Sequence, residues 1–265
     1  MIGGFIISFL DDPLVSSFVF YPRKIRIPDN LGPNVRILKF QITQDVLIGG
    51  FCYLKDPDIP TMLMFHGNGE IALDYINIYE LFHECGVNLA VADFRGYGFS
   101  SGTPFYTSLI KDAMPIYTQF KDWVKDEGLK NSLFIMGRSL GSICASEIGS
   151  HNPSDVRGIF FESGFASIFN LMTRLFRVNG PNITPEALKE WSNDTRIAKI
   201  KKPVLIIHGS NDWIIPSTEA ELIHETLPEE IDAKLHIIRG AGHNDILLFR
   251  EKYTHPLKEF IKKYG

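Results

Sequence analysis

The chain has 265 residues, enough for one or two domains, and a single α/β domain of that length also fits. Lys and Arg total 27 against 31 Asp and Glu, a net charge of −4 that leaves no basic surplus for a phosphate backbone, so nucleic acid is not an expected partner. Apolar residues make up 45% and charged residues 22%, which excludes a disordered chain and supplies a sizeable core; Cys52, Cys85 and Cys144 are odd in number, widely spaced and without a CxxC pair, which argues against a disulfide framework and a cysteine zinc site.

Residues 1–10 and 13–22 are apolar or uncharged, but Asp11 and Asp12 divide them and no Lys or Arg precedes Arg23. Neither run reaches the roughly 17 to 25 residues of a membrane helix, and the basic region that opens a secretory signal is missing. The expectation is an unspanned, cytoplasmic protein whose Phe5, Ile6, Ile7, Phe9 and Leu10 pack on the body of the domain. The alternative is that these side chains touch a membrane surface.

Short β-branched or aromatic runs bounded by turn residues predict eight strands, at 35–42, 46–54, 61–66, 87–93, 132–137, 156–162, 203–209 and 234–240. The first two are separated by a few polar residues, as in an antiparallel hairpin. The later ones alternate with segments of helical character at 72–85, 107–127, 140–150, 218–226 and 246–263, with Pro115 expected to delay or kink the second of these. The runs at 61–65, 133–136 and 204–207 are continuously apolar instead of alternating, as parallel strands covered on both faces are. The pattern predicts an α/β fold: an eight-stranded, mostly parallel, doubly wound sheet flanked by helices.

Ligands of such sheets sit at the carboxyl ends of the strands. The chemically capable residues fall there: His66-Gly67-Asn68-Gly69 after the third strand, Asp93 after the fourth, Ser139 after the fifth, Glu162 after the sixth, Asp212 after the seventh and His243 after the eighth. The spacing breaks once, between Ser163 and Lys202. Phe165, Phe169, Met172, Leu175 and Phe176 recur there at helical spacing, followed by Asn179-Gly180-Pro181 and a second helical piece at 185–191. A small cap insertion at about 166–202, lying over the strand ends of one domain that spans 1–265, accounts for it.

Gly137-Arg138-Ser139-Leu140-Gly141 matches GxSxG between an apolar strand and a helical segment, the setting of a nucleophile elbow. The tight turn presents Ser139 on strained backbone, and the two glycines leave space where strand and helix approach. A serine hydroxyl is a poor nucleophile at its ordinary pKa and needs a base held by a third group. Asp212, in His208-Gly-Ser-Asn-Asp212, and His243, in Gly240-Ala-Gly-His243, supply these in the chain order Ser, Asp, His. Glu162 is the alternative acid. His66 and His208 read as structural, bonding the loops that hold Asn68 and Asp212, while Asp93 and Arg95 tie the fourth-strand loop to its neighbours. Cys144 reads as a small buried residue of the elbow helix.

With that triad order, and with 65–70 (Phe-His-Gly-Asn-Gly-Glu) and 92–103 (Ala-Asp-Phe-Arg-Gly-Tyr-Gly-Phe-Ser-Ser-Gly-Thr) as the loops after the third and fourth strands, the sequence resembles the α/β-hydrolase superfamily from about Val35 onward. It is similar in particular to the compact branch near prolyl-oligopeptidase-related hydrolases and membrane-associated acyl-protein thioesterases. Members of the latter often carry N-terminal membrane anchoring that this sequence does not show, so their substrate is not carried over. The resemblance implies Ser139 as nucleophile, His243 as general base and then acid, Asp212 as its orienting carboxylate, and the backbone N–H groups of Asn68 and Leu140 as the oxyanion hole. It implies no metal and no organic cofactor. The expected activity is cleavage of a carboxylic ester or thioester of a small-molecule or acyl substrate, with an amidase or peptidase using the same triad, or a non-catalytic binding protein on this scaffold, as alternatives.

Overall fold

The computed structural model describes residues 9–178, 180 and 183–265. Its centre is one eight-stranded sheet: β1 (Val35–Thr43), β2 (Val46–Tyr53), β3 (Thr61–Phe65), β4 (Asn88–Ala92), β5 (Leu133–Arg138), β6 (Val156–Glu162), β7 (Val204–Gly209) and β8 (Ala233–Ile238). The order across the sheet is β1-β2-β4-β3-β5-β6-β7-β8. The β1–β2 hairpin is antiparallel and joins the rest through an antiparallel β2–β4 pairing; the remaining pairs are parallel.

Both faces of the sheet are covered, which explains the continuous apolar runs. Along β3, Leu63 and Phe65 enter one core cluster while Met62 and Met64 enter the other. The first cluster takes Leu109, Ala113 and Phe120 of a long helix, Tyr106–Asp126, together with Ile143 and Ile148 of the elbow helix, Ser142–Ser150. The second takes Leu81 and Phe82 of Tyr79–Glu84, and Leu257 and Phe260 of the last helix, Arg250–Tyr264. Register then brings the chemistry together: Phe65 pairs with Gly137, and Arg138 with Glu162, so the loops after β3, β5 and β6 leave the sheet side by side.

Three expectations need correction. The helix expected at 72–85 is broken into a 3₁₀ segment, Ala72–Asn77, and Tyr79–Glu84, separated at Ile78 with φ −132°. Side-chain carboxylates take the first N–H groups, Ile71 donating to Asp74 and Ala72 to Asp93, and Ile76-Asn77-Ile78 has low helix propensity. The long helix neither starts late nor breaks at Pro115; it begins at Tyr106, where the Phe105 N–H donates to Ser108 Oγ. Ile110 and Ala113 before the proline, and Ile116 and Tyr117 after it, are all buried, so packing on both sides overrides the lost backbone bond. The aromatic-rich stretch after Phe165 is not one helix but Ile168–Asn170 followed by a wider π turn, Leu171–Leu175. Glu219 of Ser217–Thr226 accepts from the Ala166 and Ser167 N–H groups and from Asn170 Nδ2, and Ser167 Oγ accepts from the Asn170 N–H, so the start is pinned from outside the segment.

Pro13–Val19 is a short helix capped by Asp12, with Leu10, Val19 and Phe20 buried and Phe9 half-buried. Phe5, Ile6 and Ile7 lie outside the described residues. Among the described residues, no helix is long and apolar enough to cross a membrane.

Candidate active site

The turn after β5 has the strain that its sequence requires. Ser139 sits at φ +50°, in the left-handed region that a non-glycine residue rarely enters. A Cβ on Gly141 would lie 2.0 Å from the Phe65 carbonyl oxygen, and one on Gly137 would lie 2.6 Å from the Gly141 oxygen. The elbow helix therefore rests against β3 at a distance only glycine allows. Gly141→Ala should destabilise the protein by roughly 3 kcal/mol or more, since backbone and not a flexible side chain must move; chemical denaturation checks this, and an unchanged midpoint would contradict it.

The loops after β7 and β8 bring their side chains to this turn. Ser139 Oγ lies 3.0 Å from His243 Nε2, and His243 Nδ1 lies 2.6 Å from Asp212 Oδ2. Ser139 and Asp212 are buried, and the His243 side chain is 9% exposed. The other oxygen of Asp212 accepts from the Ile214 and Ile215 N–H groups at 2.9 and 2.8 Å. Burial opposes the charge of this carboxyl, but bonds from His208, His243 and the backbone overcome that and hold it below the usual carboxylate range. An ionised Asp212 favours the tautomer with the proton on Nδ1, which turns the Nε2 lone pair toward Ser139 Oγ. His208, fully buried, places its Nε2 2.8 Å from the Ile215 oxygen and 3.3 Å from Asp212 Oδ2, so it steadies the acid's loop as the sequence implied.

The other expected residues surround this line. His66 Nδ1 lies 2.7 Å from the Gly67 oxygen and its Nε2 3.3 Å from Asp93, and Arg95 makes two bonds to Asp112 at 2.6 and 2.7 Å. Asn68 is tied by its side chain, whose oxygen accepts from the Tyr97 hydroxyl at 2.7 Å and the Tyr21 N–H at 3.1 Å, and whose nitrogen donates to the Val19 oxygen. Leu140 is buried immediately after Ser139, and Cys144 is buried with its Sγ 3.2 Å from the Leu109 oxygen. Ser139, His243 and Asn68 open on one cavity of about 300 Å³, walled on its apolar side by Tyr21, Leu175, Phe176 and Ile214. Among the described residues, no cluster of three or more His, Cys, Asp or Glu is arranged to hold a metal ion.

Glu162, the alternative acid, is placed elsewhere. It accepts from Arg138 Nη1 at 2.6 Å and from the Tyr253 hydroxyl, and has no recorded bond to His243. Arg138 also donates to Glu70 Oε1 at 2.7 Å, and Glu70 Oε2 accepts from the Tyr75 hydroxyl at 2.7 Å and the Gly67 N–H at 3.0 Å. Burial pushes the Glu70 carboxyl up, but the Arg138 charge and the Tyr75 bond hold it down at about 2. A carboxyl more acidic in the fold than in the unfolded chain stabilises fully above the ordinary range of about 4, and that contribution is lost as the pH falls toward the folded value. Sequence reasoning passed over both residues. The available signal was charge at two positions that the loop pattern predicts to be buried: Arg138 inside the elbow and Glu70 in the turn after β3.

A family model described as "Serine aminopeptidase, S33" matches residues 57–192, and one described as "Dienelactone hydrolase family" matches residues 187–253. "Protein bem46" of Schizosaccharomyces pombe is 28% identical over 206 residues, covering 76% of this chain and 67% of that protein. "Alpha/beta hydrolase domain-containing protein 17B" of Homo sapiens is 27% identical over 209 residues, covering 77% of this chain and 66% of its own length. The chain thus spans about two thirds of the curated relatives it matches. Among solved structures, the Pyrococcus furiosus esterase Pf2001 superposes with a TM-score of 0.72 at 20% identity, over 92% of this chain and 98% of that one. Est1E from Butyrivibrio proteoclasticus gives 0.67 at 17% identity, over 86% and 98%. At these identities the likeness to the two esterases is one of fold. The 57–192 match is different in kind, because it runs over half of the chain and contains both the turn after β3 and the elbow; on that ground the protein belongs to the Hydrolase_4 family, described as S33 serine aminopeptidases, within the α/β-hydrolase superfamily.

Proposed function

We propose that the protein is a serine hydrolase that cleaves a carboxylic ester or thioester through a covalent acyl-enzyme. The observation that carries this reading is the unbroken line from Asp212 through His243 to Ser139, with bonds of 2.6 and 3.0 Å, ending on a serine at positive φ beside a cavity. Ser139 Oγ attacks the carbonyl carbon as its proton passes to His243 Nε2. His243 then protonates the departing alcohol or thiol as the carbon–oxygen or carbon–sulfur bond breaks. Water repeats the sequence on the acyl-enzyme, its proton going to His243, its oxygen to the released acid, and the proton finally returning to Ser139. The Asn68 and Leu140 N–H groups stabilise the oxyanion in both steps.

The described residues of 166–202 act as the small cap of this single domain, Asn179 and Pro181 lying outside the described residues, and Leu175 and Phe176 give the acyl side of the cavity its apolar wall. The space favours short to medium acyl chains. Across p-nitrophenyl esters and a parallel acyl-thioester panel, kcat/KM should peak at short to medium length; a sharp optimum at long chains would contradict this.

The description of the matching family favours a second reading, cleavage of an amino-terminal residue from a peptide. A free α-amine needs an uncommitted carboxylate near the nucleophile. Among the described residues, Glu70 is the one acid lining the cavity, and Arg138, Tyr75 and the Gly67 N–H already occupy it, which supports the ester reading. Wild-type protein should hydrolyse p-nitrophenyl acetate and react with a fluorophosphonate. Turnover of amino-acid p-nitroanilides in preference to esters would replace this reading with the second.

A further inference from the structure

We propose that Arg138, the residue before the nucleophile, is a positioning residue that fixes the base loop and the oxyanion turn through a single guanidinium; the inference rests on the serine-hydrolase reading above. The triad bonds account for side chains but not for the backbone that carries them. His243 stands in a loop with Gly240 and Gly242 before it, and the Asn68 N–H belongs to a turn between Gly67 and Gly69. Neither loop is stiff by composition, yet an oxyanion donor must stay within a few tenths of an ångström of where charge develops.

Side-chain bonds hold Asn68, and the Gly242 N–H donates to Asp245 Oδ1 at 2.6 Å; Arg138 adds one restraint common to both loops. Its Nη2 donates to the backbone oxygen of His243 at 3.1 Å and to Asn244 Oδ1 at 3.3 Å. Its Nε donates to Glu70 Oε1 at 2.7 Å, and the other oxygen of Glu70 takes the N–H of Gly67, one residue before the oxyanion donor, at 3.0 Å. Nη1 is anchored on Glu162 at 2.6 Å, and Glu162 is held in turn by the Tyr253 hydroxyl. One side chain, 10% exposed, thereby connects the ends of β5 and β6, the turn after β3 and the loop after β8. A rigid fork of five donors suits this; a lysine, with a single nitrogen, cannot reach the same set. If the network served stability alone, its bonds would have no reason to converge on backbone atoms of the two loops that carry the chemistry. The carboxyl of Glu70, held down at about 2, keeps the link ionised through the neutral and mildly acidic range.

Two variants, Glu70→Gln and Arg138→Lys, test this, with every rate normalised to active sites titrated by a fluorophosphonate. Glu70→Gln should lower kcat on p-nitrophenyl acetate by about 10²-fold, the scale of a small misplacement of a reacting group, with KM little changed. Arg138→Lys should lower kcat about tenfold with KM likewise little changed, because charge is kept and the fork is lost. Per-site kcat values equal to wild type in both variants, even with a lower melting temperature, would overturn the proposal and leave a structural ion pair. Should either variant fail to fold, Tyr75→Phe removes one bond from the Glu70 oxygen that holds Gly67 and decides the matter: a fall in per-site kcat supports the proposal, and an unchanged one overturns it. Wild-type protein that neither labels nor turns over esters is a separate result, which would remove the serine-hydrolase reading and this inference with it.

Discussion

Ser139→Ala should lower kcat on an activated ester by about 10⁵-fold or more, to a residue of activity supplied by binding and the oxyanion donors alone. The size follows from the position of the hydroxyl at the end of the proton path, 3.0 Å from His243 Nε2; no other serine, threonine or cysteine among the described residues has a recorded bond to that nitrogen. Cys144 does not substitute, because it is fully buried with its Sγ toward the Leu109 oxygen, and burial raises its thiol pKa well above the ordinary range. The variant should keep its fold. Alanine removes only the Oγ and tolerates φ +50° no worse than serine, since both carry a Cβ. Loss of activity with an unchanged denaturation midpoint is the expected pair of results; undiminished turnover would sink the assignment.

The second large effect is expected at Asp212. Asp212→Asn should cost about 10⁴-fold in kcat with little change in substrate affinity, because an amide cannot be relied on to hold Nδ1 as the protonated nitrogen. The carboxylate carries more than His243, since it also accepts from the Ile214 and Ile215 N–H groups and lies 3.3 Å from His208 Nε2. An asparagine that presents its oxygen to the two N–H groups turns its NH₂ toward His243, which forces the imidazole into the wrong tautomer. Steady-state kinetics against an ester series checks this, and a loss below about tenfold would assign the orienting role elsewhere. Glu162 is unsuited to that role, being committed to Arg138 and Tyr253.

The fold and the close approach of Ser139, His243 and Asp212 were legible for the same physical reason. Parallel strands buried on both faces must be apolar throughout, so β3, β5 and β7 stand out as short uninterrupted runs. The elbow needs glycine where a Cβ would meet backbone at 2.0 to 2.6 Å, and that requirement is written directly as Gly137 and Gly141. Legibility failed where long-range contacts decide local structure. Pro115 is silent in the helix because Ile110, Ala113, Ile116 and Tyr117 are buried around it, and the start of the stretch at 166–175 is set by Glu219, some fifty residues away. The network of Arg138 with Glu70 and Glu162 was hidden for a related reason: its members are 68 and 24 residues apart in sequence, and only the register of β5 with β3 and β6 brings them together.

If Ser139 is the nucleophile, fluorophosphonate treatment leaves a phosphonate ester on its Oγ, and peptide mapping by mass spectrometry locates it. One phosphonate adduct per folded molecule is expected, on the peptide that contains Ser139, and none on Ser139→Ala. An adduct on another residue, or wild-type protein left unmodified while hydrolysis continues, would contradict it.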